Sequence, residues 1–190
     1  SDDIGYKIAP LINAVGRIGD PNLVIDLLTN SSTNSINQLT KECFAMNKER
    51  KKLTELVVKE ALVIATKEFN KNCKFLVISK KEWHPGIIGI VAARIVDKFN
   101  LPTAILSTAD DGIYRGSIRS NSKLKVNLAL NECKDLLISH GGHSAAAGFT
   151  VKEENINLLK EKLNNIAIRE FKNCNLDKSI NPEAYLHISD

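Results

Sequence analysis

The stretch KFLVISKKEWHPGIIGIVAARIVDKFNLPTAILS (residues 74–107) decides the fold, because it places a helical pattern between two buried strands. KFLVIS (74–79) and TAILS (103–107) are short, dense apolar runs, which is typical of strands covered on both faces. Between them, GIIGIVAARIVDKF (86–99) repeats its apolar residues at helical spacing. The stretch therefore predicts an α/β fold.

The chain after this stretch continues to alternate strands and helices. GIYRGSIRS (112–120) follows a DDG turn and predicts a strand that pairs with TAILS, and AAGFTV (146–151) predicts another strand. VNLALNECKDLLIS (126–139) and EENINLLKEKLNNIAIREF (153–171) predict helices. We expect a mixed β-sheet flanked by helices.

A long helix is expected to precede this domain. Residues 36–69 contain neither Gly nor Pro, which permits a rod of roughly 50 Å. A single apolar stripe runs along it and is interrupted by Arg50, as in a connector between two bodies. The opening segment IAPLINAVGRIGDPNL (8–23) predicts irregular structure, and its Asp20–Pro21 pair predicts the start of a short helix.

These patterns divide the chain into three predicted regions. Residues 1–70 hold the N-terminal loop, a short helix and the connector helix, and residues 71–173 form the α/β domain. Residues 174–190 have weak periodicity and are expected to be a tail that leads toward a further domain.

Composition is that of an ordinary globular protein, with 43% hydrophobic and 25% charged residues among 190. A net charge of +4 permits an anionic partner without requiring one. We expect a cytosolic protein without disulfides, a structural zinc site or a membrane span, because no CxxC pair, signal peptide or long apolar run occurs. The cysteines are widely separated at Cys43, Cys73, Cys133 and Cys174.

The run HGGHSAAAGF (140–149) is the first candidate site, and it admits four interpretations. Gly141 could cap the preceding helix, or the small residues could form a packing strip. His140 and His143 could bind a metal, although no carboxylate or cysteine completes the ligand set. Alternatively, successive glycines expose backbone N–H groups that could cradle a phosphate, with a histidine beside them. The run alone does not decide among them.

GSIRS (116–120) and NAVGRIGD (13–20) each place an arginine where an anion could bind. In a strand, Ser117 and Arg119 point to the same face, so a hydroxyl and a guanidinium could bind one phosphate. Arg17 lies between two glycines in a predicted loop and could clamp an anion. The structural alternative for both is an arginine in solvent.

WHPGIIGI (83–90) places a turn between a strand and a helix, at the sheet edge where α/β folds bind ligands. His84 at this edge could contact an anion or serve in packing. Trp83, the single tryptophan, could stack on a base or fill the core.

Taken in order and spacing, four segments resemble the bacterial RecJ family of single-strand-specific 5′→3′ DNA exonucleases in the DHH phosphoesterase superfamily. The resemblance covers roughly residues 8–172. The GGH element is shared across the superfamily, whereas the other segments narrow the resemblance to the RecJ type. The segments are INAVGRIGD (12–20), WHPGIIGIVAARIVDKFNLPTAILS (83–107), GSIRS (116–120) and LLISHGGHSAAAGFTV (136–151).

The resemblance implies that the chain is the linker helix and the DHH-associated C-terminal domain of such an enzyme. In the family, an N-terminal domain with clustered aspartates and a DHH triplet holds two Mn²⁺ or Mg²⁺ ions. No DHH string occurs here, so we expect no metal in this part and no activity from it alone. The catalytic half would precede residue 1 and an OB-fold would follow residue 190.

The resemblance also implies roles for the candidate residues. His143 would support catalysis by contacting the scissile or adjacent phosphate, and the arginine and serine positions would recognise a 5′-terminal phosphate. The expected substrate-binding residues are Arg17, His84, Ser117, Arg119, Gly141 and Gly142.

The expected partner is single-stranded DNA, in repair and recombination, with single-stranded-DNA-binding protein as an additional partner and no membrane contact. Two alternatives stay open. One is a short-oligonucleotide or cyclic-dinucleotide phosphodiesterase of the same superfamily. The other is a non-catalytic module that binds single strands or protein.

Overall fold

The computed structural model describes residues 2–69, 71, 73–121 and 124–172. A mixed five-stranded sheet with helices on both faces follows a long helix, which confirms the predicted fold class. The helices are α1 (Ala9–Ile18), α2 (Asn22–Thr29), α3 (Thr33–Phe69), α4 (Ile88–Phe99), α5 (Val126–Glu132) and α6 (Ile156–Phe171). The strands are β1 (Leu76–Ser79), β2 (Thr103–Asp110), β3 (Ile113–Arg119), β4 (Leu137–Gly142) and β5 (Ala146–Lys152).

The sheet has the order β1-β2-β3-β5-β4. β1 and β2 are parallel and joined through α4, whereas the three remaining pairings are antiparallel. The register aligns Ile105, Ser117, Gly148 and Gly141 on four adjacent strands. Since opposed residues of neighbouring strands share a face, these four lie in one row across the sheet.

The two faces of the sheet are covered to different extents. α5 and α6 pack on one face in a core that includes Phe149 and Leu163. On the other face, α3 and α4 bury the β1 and β2 residues, among them Ile78 and Ile105. Beyond them, Arg115, Gly148 and Gly141 of β3, β5 and β4 are exposed. Among the described helices, α4 reaches only as far as β3, so half of this face stays open.

The long helix α3 has 37 residues, which corresponds to roughly 55 Å. Its C-terminal half packs on β1 and α4 through Val57, Val58, Ala61 and Ala65. Its N-terminal half contacts α1 and α2. The helix thus connects a small helical N-terminal part to the α/β part, in agreement with the predicted rod.

The opening segment is helical, and the prediction of irregular structure there was wrong. A π-helical turn spans Asp3–Ile8 and α1 follows it directly. Pro10 lies in the first turn of α1, where its missing N–H is not needed. Ala14 and Val15 are fully buried, and this packing offsets the low helix propensity of Gly16. The short helix α2 was predicted, and Asp20 Oδ1 accepts the Asn22 N–H at 2.9 Å.

The predicted helix over residues 126–139 was also wrong in its second half. α5 ends at Glu132, a 3₁₀ turn covers Lys134–Leu136, and β4 begins at Leu137. The residues from Leu137 onward hydrogen-bond to β5, a partner that local periodicity does not reveal. Gly141 is therefore not a helix cap: it lies within an edge strand.

The sequence also carries predictions for the tail, the cysteines and a membrane span. Residues 174–190 lie outside the described residues, and the three-part division of the chain stays a prediction. Cys43, Cys73 and Cys133 are free thiols, and burial raises the pKa of each, in Cys133 to about 11. Within the described residues, no helix combines the length and apolar character needed to cross a membrane.

Candidate anion-binding site

An open cleft of about 600 Å³ lies over the uncovered half of the sheet face. Its floor is formed by β3, β5 and β4, and its wall by the end of α1 and the loop that leads into α4. The lining residues that carry polar side chains are Arg17, Arg115, Ser117, Arg119, Ser139, His140 and Thr150. The glycines in the lining are Gly16, Gly86, Gly89, Gly116, Gly141 and Gly148.

Ser117 and Arg119 lie on the same face of β3, as their alternation predicted. Arg119 NH1 donates to Ser117 Oγ at 3.0 Å and to the Ile118 carbonyl at 2.8 Å. Its Nε and NH2 donate to no described residue, so this edge of the guanidinium stays available to an anion. Burial lowers the pKa of Arg119, and repulsion from Arg17 adds to the effect. Two positive charges therefore converge on the cleft.

Gly89 in the first turn of α4 makes room for this pair. A Cβ at Gly89 would lie 3.0 Å from Arg119 NH2 and 3.1 Å from Ser117 Oγ. Both distances are tighter than ordinary van der Waals contact, so a larger residue would push the Arg119 side chain. Sequence reasoning placed Gly89 in the helix without assigning it this role.

Arg17 reaches the cleft from the last turn of α1, not from a loop as predicted. Its NH1 donates to the Gly86 carbonyl at 3.1 Å, across the interface between α1 and the turn before α4. A Cβ at Gly86 would collide with the Arg17 backbone, so the close approach of the two segments requires glycine there. Arg17 lines the cleft, where a predicted site residue would be expected. Its role in binding stays a prediction.

His84 and Trp83 lie next to the cleft without lining it. His84 Nδ1 accepts the Gly86 N–H at 3.0 Å, which stabilises the turn that carries Gly86. Trp83 is only 3% exposed and fills the core, while its Nε1 donates to Glu60 Oε2 at 2.8 Å. This hydrogen bond, together with one from Lys80, lowers the pKa of Glu60. Trp83 is therefore unable to stack on a bound base in this arrangement.

The HGGH run lies at the end of β4 and in the turn to β5. Gly141 and His140 line the cleft, whereas Gly142 and His143 do not. Gly142 has φ +141°, and a Cβ there would lie 2.5 Å from the Ala146 carbonyl oxygen, so the turn itself requires glycine. The His143 N–H donates to that same carbonyl at 2.7 Å, and its side chain is exposed. His143 therefore lies on the β4–β5 hairpin, outside the cleft lining.

Gly141 and Gly148 are paired in the β4–β5 ladder, and unlike Gly142 they are not required by steric constraints. A Cβ at Gly141 would meet nothing within 4 Å, and one at Gly148 only the Gly116 carbonyl oxygen at 3.8 Å. Neither has a positive φ. The fold therefore does not need glycine at either position, and the absence of side chains leaves the backbone of the cleft floor bare.

Sequence reasoning did not assign four polar residues of the lining to an anion site. Arg115 precedes Ser117 by two residues on β3, so the same alternation could have identified it. Thr150 pairs with Arg115 across the β3–β5 ladder. Ser139 and His140 lie on β4, and the helix predicted there concealed them.

The chemistry of the cleft is that of anion binding. Salt bridges in the described part of the chain involve neither Arg17, Arg115 nor Arg119, so their charges are not neutralised by carboxylates there. Among the described residues, His, Cys, Asp and Glu nowhere gather in a group of three that could hold a metal ion.

A family profile and the curated relatives indicate the same family for this chain. The sequence profile described as the DHHA1 domain matches residues 70–169. The single-stranded-DNA-specific exonuclease RecJ of Bacillus subtilis is 35% identical over 167 residues, which are 87% of this chain and 21% of that protein. RecJ of Escherichia coli is 30% identical over 169 residues, 85% of this chain and 29% of that protein.

Solved structures agree with the sequence comparison. The crystal structure of RecJ from Thermus thermophilus in complex with Mn²⁺ has a TM-score of 0.79 at 30% identity, over 88% of this chain and 24% of that chain. The same protein in complex with Mg²⁺ gives 0.77 at 29% identity, over 88% and 26%. The chain spans between about a fifth and three tenths of the length of the curated relatives it matches.

Proposed function

The chain belongs to the DHHA1 domain family, and on that premise we propose that its cleft is the substrate-binding part of a 5′→3′ single-stranded-DNA exonuclease. The observation that carries the proposal is the convergence of Arg17, Ser117 and Arg119 on one open cleft. The relatives at about 30% identity are named as single-stranded-DNA-specific exonucleases, which supplies the substrate class.

In this proposal, the terminal phosphate of the strand occupies the corner between β3 and α1. The free Nε–NH2 edge of Arg119 binds two phosphate oxygens, and the Ser117 hydroxyl turns to donate to a third. Arg17 adds a second positive charge from α1. A phosphate with a free end carries more negative charge than an internal phosphodiester, so two guanidinium groups favour the end of a strand.

The bare floor of the cleft then accommodates the strand that follows the terminal phosphate. Without side chains at Gly141 and Gly148, sugar and phosphate groups approach the sheet backbone closely. Arg115 and Thr150 line the same floor further along β3 and β5. His143 and Gly142 lie on the β4–β5 hairpin directly after the lining residue Gly141, and in this proposal they contact the scissile or adjacent phosphate.

We assign the hydrolytic chemistry to residues outside the described part of this chain. The relatives solved in complex with Mn²⁺ or Mg²⁺ are longer proteins, and such ions supply an activated water in phosphodiester hydrolysis. The contribution of this chain is to hold the strand in register, which is a positioning role. We further propose action in DNA repair and recombination in the bacterial cytoplasm, with single-stranded-DNA-binding protein as an additional partner.

The proposal is tested by binding of fluorescent oligothymidylates with and without a 5′-phosphate, measured by anisotropy at low salt. Arg119→Ala should weaken binding of the 5′-phosphorylated strand about tenfold or more, because a charge-assisted pair is lost. Binding of the 5′-hydroxyl strand should change little.

Arg169→Ala is the matched control, since it removes the same charge far from the cleft, where Arg169 pairs with Glu132. Equal loss for both strands in Arg119→Ala would contradict the recognition of a terminal phosphate. If a cyclic dinucleotide, which has no strand end, bound more tightly than the phosphorylated strand, the phosphodiesterase alternative would be favoured.

A further inference from the structure

Arg50, which interrupts the apolar stripe of α3, is not used by the cleft described above. It is half-buried, and its Nε and NH2 both donate to Asn47 Oδ1, at 3.2 and 2.8 Å. Asn47 is itself only 9% exposed. A buried amide therefore holds the guanidinium in a fixed orientation, although no carboxylate of the described chain lies within salt-bridge distance of it.

Two other arginines lie close to Arg50, on different helices. Burial lowers the pKa of Arg50, and repulsion from Arg17 and then from Arg94 adds to the effect. Arg17 also repels Arg119. Arg17 thus repels both Arg119 of the cleft and Arg50 of α3, so the positive charge of the cleft extends toward α3.

Helix packing fixes this arrangement. A Cβ at Gly19, directly after α1, would lie 2.8 Å from Met46 Cε, about one turn before Arg50 on α3. The end of α1 therefore rests on the part of α3 that carries Arg50. The bond from Arg17 to the Gly86 carbonyl ties the same end to the turn before α4. The end of α1 thus contacts both α3 and the turn before α4, which brings Arg17 near Arg50.

The sixth arginine of the sequence provides an internal contrast. Arg169 donates to Glu132 through NH2 at 2.7 Å and NH1 at 3.1 Å, and this pairing raises its pKa. Among the described residues, it is the only arginine with a carboxylate within 4 Å. Like charges that repel each other without a counter-charge favour the binding of an anion.

We propose that Arg17, Arg50 and Arg94 form a second phosphate subsite, which binds a phosphate group joined to the one held by Ser117 and Arg119. The inference rests on the proposed function, because it assumes a phosphorylated end in the cleft. Arg17 bridges the two subsites, Asn47 orients Arg50, and the exposed Arg94 adds a third positive charge. The ligand is an anion with two linked phosphate groups.

Two sources could supply the second phosphate. One is the next phosphodiester of the same strand, and the other is a second phosphate on a 5′-diphosphate end. Three probes separate them: thymidine 5′-monophosphate, thymidine 5′-diphosphate and the 5′-phosphorylated dinucleotide pdTpdT. Dissociation constants from calorimetry or NMR titration of the 190-residue chain give the comparison.

Arg50→Gln is the decisive variant, because glutamine keeps a donor near Asn47 while removing the charge. We expect this variant to weaken the binding of whichever two-phosphate probe uses the subsite by about tenfold. The affinity for the monophosphate should stay within about twofold of that of the unmodified chain. If the affinity for the diphosphate falls, the second phosphate belongs to a 5′-diphosphate end. If the affinity for pdTpdT falls, it belongs to the strand backbone. Arg169→Gln is the matched control and should alter none of the three.

Thermal melting without ligand separates this role from a structural one. Arg50→Gln relieves repulsion and should leave the melting temperature unchanged or raise it, whereas Arg169→Gln breaks an ion pair and should lower it slightly. Arg94→Gln, at an exposed position, should reproduce the selective loss even if Arg50→Gln folds poorly.

The inference would be overturned if Arg50→Gln and Arg94→Gln weakened binding of the monophosphate as much as binding of the two-phosphate probes, or weakened neither two-phosphate probe. The proposed function would not be affected by either result. If the unmodified chain bound none of the three probes, the proposed function would fail with it.

Discussion

One face of the sheet has two halves with the same alternation of side chains along the strands. One half is apolar and covered by helices, and the other is polar and open. Over β1 and β2, the inward residues Ile78 and Ile105 are buried beneath α3 and α4. Over β3, β5 and β4, the residues of the same face include Arg115, Gly148 and Gly141, which the described helices leave exposed.

The difference teaches which residues packing explains. In the covered half, each side chain fills space between sheet and helix, so its identity follows from the fold. In the open half, neither burial nor backbone geometry accounts for Gly141 or Gly148, and no described carboxylate pairs with Arg119. We therefore expect these residues to bind a ligand, and substitutions in the two halves should have separate effects on stability and binding.

The largest effect should come from the covered half. Ile105 is fully buried, so Ile105→Ala should lower the free energy of unfolding by about 2–5 kcal/mol. Urea titration followed by circular dichroism measures this change. Among molecules that stay folded, the preference for 5′-phosphorylated strands should persist, because Ile105 does not line the cleft. A loss of that preference with unchanged stability would break the distinction between the halves.

Two glycines on neighbouring strands sharpen the comparison, because the same added methyl group should have opposite consequences. A Cβ at Gly116 would collide with the Phe149 ring, so Gly116→Ala should cost about 1–3 kcal/mol of stability. A Cβ at Gly148 would meet only the Gly116 carbonyl oxygen, at an ordinary contact distance of 3.8 Å, so Gly148→Ala should keep or slightly raise stability while weakening strand binding.

Urea titration and anisotropy on both variants check the pair. Gly148→Ala that bound strands as tightly as the unmodified chain would show that the bare floor is not used. Gly116→Ala with unchanged stability would show that the ring moves aside without cost.

The same contrast explains how much could be predicted from the sequence. β1, α4 and β2 follow from local hydrophobic periodicity, because their covering layers demand apolar residues at regular spacing. β4 was missed because its strand conformation depends on pairing with β5, which is not a local property. α1 was missed because Pro10 and Gly16 lower helix propensity, while the burial of Val15 against other elements compensates.

Prediction of the site followed the same division. Ser117 and Arg119 could be assigned to one face because alternation along a strand is a local rule. Arg17 was identified as a candidate in the wrong element, and Ser139 and His140 could not be placed while β4 was taken for a helix. The approach of α1 to the turn at Gly86 is a tertiary contact, and no spacing in the sequence encodes it.

The smallest effect should come from a single hydroxyl in the open half. Ser117 Oγ accepts from Arg119 NH1 at 3.0 Å and is the group we expect to donate to a phosphate oxygen. Ser117→Ala should therefore change stability by no more than about 0.5 kcal/mol, since the site is half-open, and weaken binding of a 5′-phosphorylated strand about fivefold. The exposed Ser144 in the β4–β5 turn, outside the cleft lining, gives the control Ser144→Ala. If both serine variants bound alike, Ser117 would serve only to orient Arg119, and the phosphate would be held by guanidinium groups alone.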